Sequence, residues 1–257
     1  MRIRYISADP AGNMTGMVLT AVEPQRRAAL AAALMARCSE GFEQIAFVDE
    51  TSLCGPLPRM DMMGGEFCGN ATRAFALLAA RRRGQGERTL RVSVSGAAAP
   101  VRVELEEERG CAYADMPLPL GVEEILREGR RVPVVRMEGI AHAVLADTAP
   151  SPDLARHVLA AMPREDAQGV LFVQGKKMTP LVYVAATETS VWESSCGSGS
   201  VALAWQLSRG MADGVHSYAF EEPGGTLSVR VTMRGGKAVR AVMGGRVSLS
   251  VEREITL

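Results

Sequence analysis

The sequence has little of what several protein classes need. Its 257 residues carry 29 Lys and Arg against 29 Asp and Glu. No basic excess exists to displace counterions from a nucleic-acid backbone, so nucleic-acid binding is not expected. No apolar run approaches the ~20 residues of a membrane span, and Met1 to Thr20 lack a charged start followed by an apolar stretch. Neither membrane association nor secretion is expected. The three histidines, His142, His157 and His216, are scattered without metal-ligand spacing, and no HExxH string occurs. The five cysteines, Cys38, Cys54, Cys68, Cys111 and Cys196, form no CxxC pair. An odd, sparse set argues against a disulfide framework and a structural zinc site, so no metal is expected and the reducing cytoplasm is the expected compartment.

What is present is a mixture of short strands and a few helices. Alternating Val, Ile, Tyr and Thr predict strands at Arg2–Ser7, Met17–Val22, Ile45–Asp49, Thr89–Ser95, Val101–Glu106, Ala112–Met116, Val132–Met137, Ala143–Ala146, Gly169–Val173, Leu181–Ala185, Thr226–Thr232 and Val247–Val251. Helix-forming composition predicts helices at Pro24–Ala36, Asn70–Arg83, Val122–Arg127, Asp153–Ala161 and Gly197–Arg209. Strands dominate and often follow each other directly, which favours an α+β fold over an alternating parallel sheet.

An internal echo is the most informative pattern. Phe67-Cys68-Gly69-Asn70 leads into a helix that stops at Gly84, and Ser195-Cys196-Gly197-Ser198 into one that stops at Gly210. A Thr-Leu-x-Val-x-Val string follows each, at Thr89 and at Thr226. The two cysteines stand 128 residues apart, half the chain, whereas the strings are 137 apart, so a loop is expected to absorb the extra nine. Two copies of one unit explain this order. The expected seam lies at Met116-Pro117-Leu118-Pro119, where prolines break a strand. That gives lobes 1–116, carrying Cys68, and 117–257, carrying Cys196, with the last residues able to return to the first lobe.

Each of these cysteines precedes a predicted helix. A helix N-terminus offers unpaired N–H groups and the positive end of a dipole. It favours a thiolate and can bind a carboxylate, and the glycine after each cysteine lets a ligand approach the backbone. Two thiols working on opposite faces of one carbon suit stereoinversion. One thiolate removes the Cα proton of an amino acid and the other thiol returns a proton to the opposite face. Cys68 and Cys196 are therefore the candidate catalytic pair. Cys38, Cys54 and Cys111 lack this context. Asn13 lies in a Pro-Ala-Gly-Asn-Met turn, Glu43 before an apolar strand, and Glu66 and Glu193 two and three residues before the cysteines. For these polar residues a plain turn or helix-end role stays open beside a substrate contact.

The segments Cys68-Gly69-Asn70-Ala71-Thr72-Arg73 and Ser195-Cys196-Gly197-Ser198-Gly199 resemble the two cysteine motifs of the cofactor-independent diaminopimelate epimerase family. Within it, Pro10–Thr15, Glu43-Gln44, Gly65–Thr72, Trp192–Gly199 and Pro223-Gly224-Gly225 are similar to the histidine racemases of staphylopine-type metallophore pathways. The resemblance implies two pseudo-symmetric lobes, each a curved, mostly antiparallel sheet around a central helix. It implies L-histidine to D-histidine interconversion without a cofactor, with the product passing to a metallophore. It also implies that Glu43 and Glu193 lie near the substrate. The helix-end N–H groups of Gly69, Asn70, Gly197 and Ser198 are the expected donors to its carboxylate, Asn13 is a further candidate contact, and the sequence leaves room for a homodimer without requiring one. The chain departs from true diaminopimelate epimerases. Gly139-Ile140-Ala141-His142 lacks their Asn before a Pro-His step, and Ala186–Val191 lacks their Glu-Arg-Gly signature. Those missing residues would hold the distal end of diaminopimelate. Epimerisation of diaminopimelate, racemisation of another amino acid, and a thiol redox sensor remain the alternatives.

Overall fold

The computed structural model describes residues 1–84, 86–127 and 129–257. Contacts divide the chain into two compact units, Met1–Asp115 with Gly244–Leu257, and Met116–Met243. In chain order the first unit holds β1 (Arg2–Asp9), β2 (Thr15–Val18), α1 (Pro24–Arg37), β3 (Gln44–Asp49), β4 (Arg59–Met62), α2 (Gly69–Arg83), β5 (Thr89–Val94), β6 (Val101–Glu106) and β7 (Cys111–Met116, whose last residue opens the second unit). The second unit holds β8 (Gly121–Arg127), β9 (Arg130–Met137), β10 (Ile140–Ala146), α3 (Pro152–Ala161), β11 (Ala167–Gln174), β12 (Lys177–Val184), β13 (Thr189–Trp192), α4 (Gly197–Ser208), β14 (Gly214–Glu222), β15 (Gly225–Arg234) and most of β16 (Lys237–Arg246). From Gly244 the chain belongs to the first unit, where β17 (Ser248–Leu249) and β18 (Arg253–Thr256) both pair antiparallel with β1.

The two units repeat one pairing scheme. In the first, β1 and β2 are antiparallel, β2 and β3 parallel across α1, β3 and β4 antiparallel, and β4 and β5 parallel across α2. In the second, β9 and β10 are antiparallel, β10 and β11 parallel across α3, β11 and β12 antiparallel, and β12 and β14 parallel across α4. Each last strand then turns into an antiparallel hairpin, β5 with β6 and β14 with β15. Helices α2 and α4 thus occupy the same place in the two schemes. The parallel steps need crossover connections, which the helices supply.

The sequences of these two helices explain why they are central. Every residue of α2 from Gly69 to Ala80 is buried, and its alanines let strands approach closely. Three arginines in its last turn complement the negative dipole end, and Gly84 closes it at φ 65°. Around it lie Met17, Met60, Leu90, Val92, Val103 and other apolar residues of the first unit's core. Helix α4 is buried from Gly199 to Ala204. The outer helices are amphipathic. α1 buries Ala31 and Leu34 against Ile3, Phe42 and Phe47, and α3 buries Ala155 and Val158 against Val134 and Phe172.

Several expectations need correction. The helix expected at Val122–Arg127 is strand β8, in register with β9 (Val122↔Val135, Ile125↔Val132). Its β-branched residues fit the ladder, and Glu123 and Glu124 pair with Arg136 and Arg131 across it. The Thr-Leu-x-Val-x-Val strings do not occupy equivalent positions, since Thr89 begins the first strand after α2 and Thr226 lies in the second strand after α4. The extra nine residues are strand β14, not a loop. The repeat lies in the order of helices and pairings. The strand expected at Met17–Val22 ends at Val18, where Leu19 donates to the Arg4 carbonyl. The strand expected at Val247–Val251 shrinks to Ser248–Leu249. Strands β4, β13, β14, β16 and β18 carry no expectation from composition. Among the described residues no helix is long and apolar enough to cross a membrane.

Candidate active site

The first cysteine site is built where two parallel strands begin side by side. Thr15 opens β2 and is in register with Gln44, which opens β3. Asn13 and Glu43, just ahead of these strands, are thereby neighbours, and the Glu43 N–H donates to the Met14 carbonyl at 2.9 Å. The Asn13 amide donates to Glu43 Oε2 at 2.7 Å, and its oxygen accepts from Gln44 Nε2 at 2.8 Å. Gln44 Nε2 also reaches Thr15 Oγ1 at 2.8 Å. Asn13, Thr15 and Gln44 are buried and Glu43 half-buried. This network fixes the Asn13 side chain so that Oδ1 lies 3.9 Å from the Cys68 sulfur.

Cys68 is the N-cap of α2 and half-buried. Its sulfur accepts the Ala71 N–H at 3.4 Å, a donor of the first helical turn. That bond favours a thiolate, whereas the Asn13 oxygen can receive the S–H of the thiol. The Thr72 hydroxyl and N–H both bond the Cys68 carbonyl, at 2.7 and 2.9 Å. Gly69 and Asn70 follow as the first two helical residues. Asn70 is buried and its Oδ1 accepts from Arg73 Nε at 3.2 Å. Arg73, itself buried, donates to the carbonyls of Gly245 and Arg246 at 3.1 and 2.9 Å. The loop is held from behind by Ser95, whose hydroxyl bonds the Glu66 carbonyl at 3.0 Å, and by Gly96. Gly96 has φ +71°, and a Cβ there would come within 2.2 Å of the Phe67 nitrogen. The Glu66 side chain itself is exposed.

The second cysteine site has the same frame and different chemistry. Cys196 is the N-cap of α4, is 4% exposed, and makes no side-chain cap bond. Its backbone N–H donates to Glu222 Oε2 at 2.6 Å. Its sulfur lies 3.5 Å from the Ser198 hydroxyl, which lies 2.9 Å from Nε2 of His142. Glu193 also bonds the Cys196 sulfur. Burial pushes the Cys196 thiol well above its ordinary value; the negative charges of Glu193 and Glu222 add to this, and the Ser198 hydroxyl opposes it. His142 is fully buried, and burial pushes its imidazole down to about 4, so it is neutral at physiological pH. Its Nδ1 has no hydrogen-bond partner. The ring lies against Gly169, its register partner in β11, where a Cβ would come within 2.1 Å of Nδ1.

Of the sequence candidates, the first unit brings Asn13, Glu43 and Cys68 into contact, with Gly69 and Asn70 at the N-terminus of α2. The second brings Glu193, Cys196 and Ser198 into contact, with Gly197 between the last two. His142, set aside as one of three scattered histidines, and Glu222, not considered, both reach the Cys196 site. His142 carries a readable signal, a lone polar residue in the apolar run Ile140–Ala146. Glu222 carries none, since only pairing places the end of β14 beneath α4. Cys38 and Cys111 are half-buried and Cys54 exposed, with no such surroundings. Each cysteine thus stands at a helix N-terminus, where unpaired N–H groups can favour a thiolate and can receive an anion.

The family described as Histidine racemase CntK N-terminal domain matches residues 2–255. A histidine racemase from Fusobacterium nucleatum subsp. nucleatum is 30% identical over 220 residues, covering 80% of this chain and 81% of the relative. A histidine racemase from Staphylococcus aureus is 25% identical over 243 residues, covering 88% of each chain. The crystal structure of a phenazine biosynthesis PhzF-family protein from Enterococcus faecalis superposes with a TM-score of 0.70 at 18% identity, covering 100% of both chains. The α+β fold with two pseudo-symmetric lobes is therefore one shared with solved structures.

Proposed function

The chain belongs to the histidine racemase family, and from that premise we propose that it interconverts L- and D-histidine with two cysteines as its acid and base. The observation that carries this reading is the placement of Cys68 and Cys196 at the N-caps of α2 and α4, the equivalent helices of two units with one pairing scheme. In each turnover one sulfur, as thiolate, takes the Cα proton. The C–H electron pair stays on the substrate as a carbanion delocalised into the α-carboxylate. The other thiol then gives its proton to the opposite face, and the two sulfurs have exchanged protonation states. No electron is gained or lost, so the chemistry needs only the two thiols and donors that stabilise the carboxylate. Those donors are assigned to the helix-end N–H groups of Gly69, Asn70, Gly197 and Ser198. Asn13 and Glu43 are assigned to the substrate beside Cys68, and Glu193 beside Cys196, where a carboxylate suits an imidazole N–H.

The reading requires no cofactor. It fits the cytoplasm, where thiols stay reduced, with D-histidine passing to a metallophore, and it is compatible with a homodimer. The residues absent from the diaminopimelate signature support histidine over diaminopimelate. Incubation with single L-amino acids in heavy water under reducing conditions tests the choice. Deuterium is expected at Cα of histidine. Exchange of diaminopimelate in its place would overturn the substrate, and no exchange of any amino acid would favour a redox sensor.

A further inference from the structure

The two cysteine sites share a frame but hold their carboxylates differently: Glu43 stands behind Asn13 at the first, whereas Glu222 bonds the cysteine's own backbone N–H at the second. Four residues after each cysteine stands a buried hydroxyl, Thr72 in α2 and Ser200 in α4. Thr72 turns its hydroxyl back to the Cys68 carbonyl. Ser200 instead donates to Glu222 Oε1 at 2.6 Å, while Glu222 Oε2 accepts the Cys196 N–H at 2.6 Å. Acceptance at both oxygens is the pattern of an ionised carboxylate, which has no proton to give. Glu222 is only 7% exposed and ends β14. The strand in the matching place of the first unit, β5, ends in the apolar Val94. Nor is the sulfur's own bonding alike. Cys68 takes a helix-end N–H, and Cys196 takes no such cap bond.

We propose that Glu222 is a positioning residue of the second cysteine site, pinning the Cys196 loop to α4 and setting Cys196 as the later of the two thiols to ionise. The buried carboxylate ties the N-cap residue to a point one turn along the helix. It also sets a fixed negative charge next to a sulfur that would have to become negative. Glu193, from the loop after β13, adds a second negative charge. Ser198 of α4, backed by neutral His142 of β10, donates in the opposite sense. From the β16 side the loop meets Met243, whose Cε lies 2.6 Å from where a Cβ of Gly197 would sit and which has no charge. The resting enzyme thus holds a proton on Cys196, ready to deliver, and the first proton abstraction falls to Cys68.

This inference rests on the two-thiol reading, and its test does not depend on turnover. The full chain is labelled with [13Cβ]cysteine and titrated by NMR, the two signals being assigned with Cys68→Ser and Cys196→Ser. In the wild type the Cys68 signal is expected to titrate below that of Cys196. Glu222→Gln, which keeps an acceptor but removes the charge, is expected to lower the Cys196 midpoint by about one pH unit, roughly tenfold more thiolate at a given pH below it, and to leave Cys68 in place. An unmoved Cys196 midpoint in folded Glu222→Gln overturns the inference and leaves the proposed function standing. Failure of the wild type to racemise histidine, with the midpoint shifted as expected, does the reverse. If Glu222→Gln does not fold, the wild-type order decides, and Cys196 titrating before Cys68 overturns the inference.

Discussion

The imidazole of His142 and the hydroxyl of Ser198 are 2.9 Å apart, though 56 residues separate them, and the same hydroxyl lies 3.5 Å from the Cys196 sulfur. A neutral imidazole with Nε2 protonated donates to Ser198, which can then donate onward to sulfur. Because Nδ1 has no partner, this tautomer leaves an unmet acceptor rather than an unmet donor. The buried ring has a consequence for stability. Its folded value of about 4 lies below the unfolded value near 6.5. Between these the unfolded chain binds the extra proton, so stability falls as pH drops from about 6.5 towards 4 and this loss levels off below. The difference amounts to roughly 3 kcal/mol. Urea unfolding of wild type and His142→Gln at pH 7 and pH 4.5 should show a steeper acid loss in the wild type. Equal acid losses would remove the claim.

Under the proposed two-thiol mechanism, removal of either thiol leaves one face of Cα without a proton donor or acceptor. Cys68→Ser and Cys196→Ser are each expected to lower kcat for histidine racemisation by about 10³-fold, read by chiral chromatography, with the fold retained. Cys54→Ser, at an exposed thiol, should keep wild-type kcat.

Asn13 ties Gln44 to Glu43 and faces Cys68 with its oxygen. Asn13→Ala removes both hydrogen bonds from a buried position, at a cost of about 1–3 kcal/mol. It is also expected to lower kcat/KM by about tenfold or more, because the Cys68 surroundings are no longer fixed. Wild-type kinetics in this variant would show that the network serves stability alone.

Gly96 should behave differently from other glycines with positive φ. At Gly96 a Cβ meets the backbone of the Cys68 loop, whereas at Gly175, φ +61°, nothing lies within 4 Å. Gly175→Ala is expected to cost about 1 kcal/mol of backbone strain and to keep its activity. Gly96→Ala must displace Glu66 and Phe67, and both melting temperature and kcat should fall. Similar kinetics in the two variants would contradict the role of Gly96 as a backstop.

The legible part of this protein is local. Small residues around each cysteine, a glycine after it and an alanine-rich stretch beyond mark α2 and α4 within a residue of their observed starts. The α+β class follows from strands that succeed one another. What escapes is set by partners distant in sequence. Val122–Arg127 has helix-like composition and becomes a strand because β9 offers a ladder and two arginines. β14 is mostly exposed and polar, and its pairing with β15 defines it. Glu222 reaches Cys196 across 26 residues and His142 reaches Ser198 across 56. No periodicity encodes such meetings. The Thr-Leu echo shows the opposite hazard, a matching string in strands that are not equivalent.

In the proposed mechanism two different groups handle the proton, and isotope partition at early conversion distinguishes this from transfer by one group. Unlabelled L-histidine is incubated with the protein in heavy water under reducing conditions, and both enantiomers are separated within the first few per cent of turnover. D-histidine is expected to carry deuterium at Cα while the remaining L-histidine keeps its protium. D-histidine that retains the original protium would mean that a single group carries the proton from one face to the other, and would contradict the two-thiol mechanism.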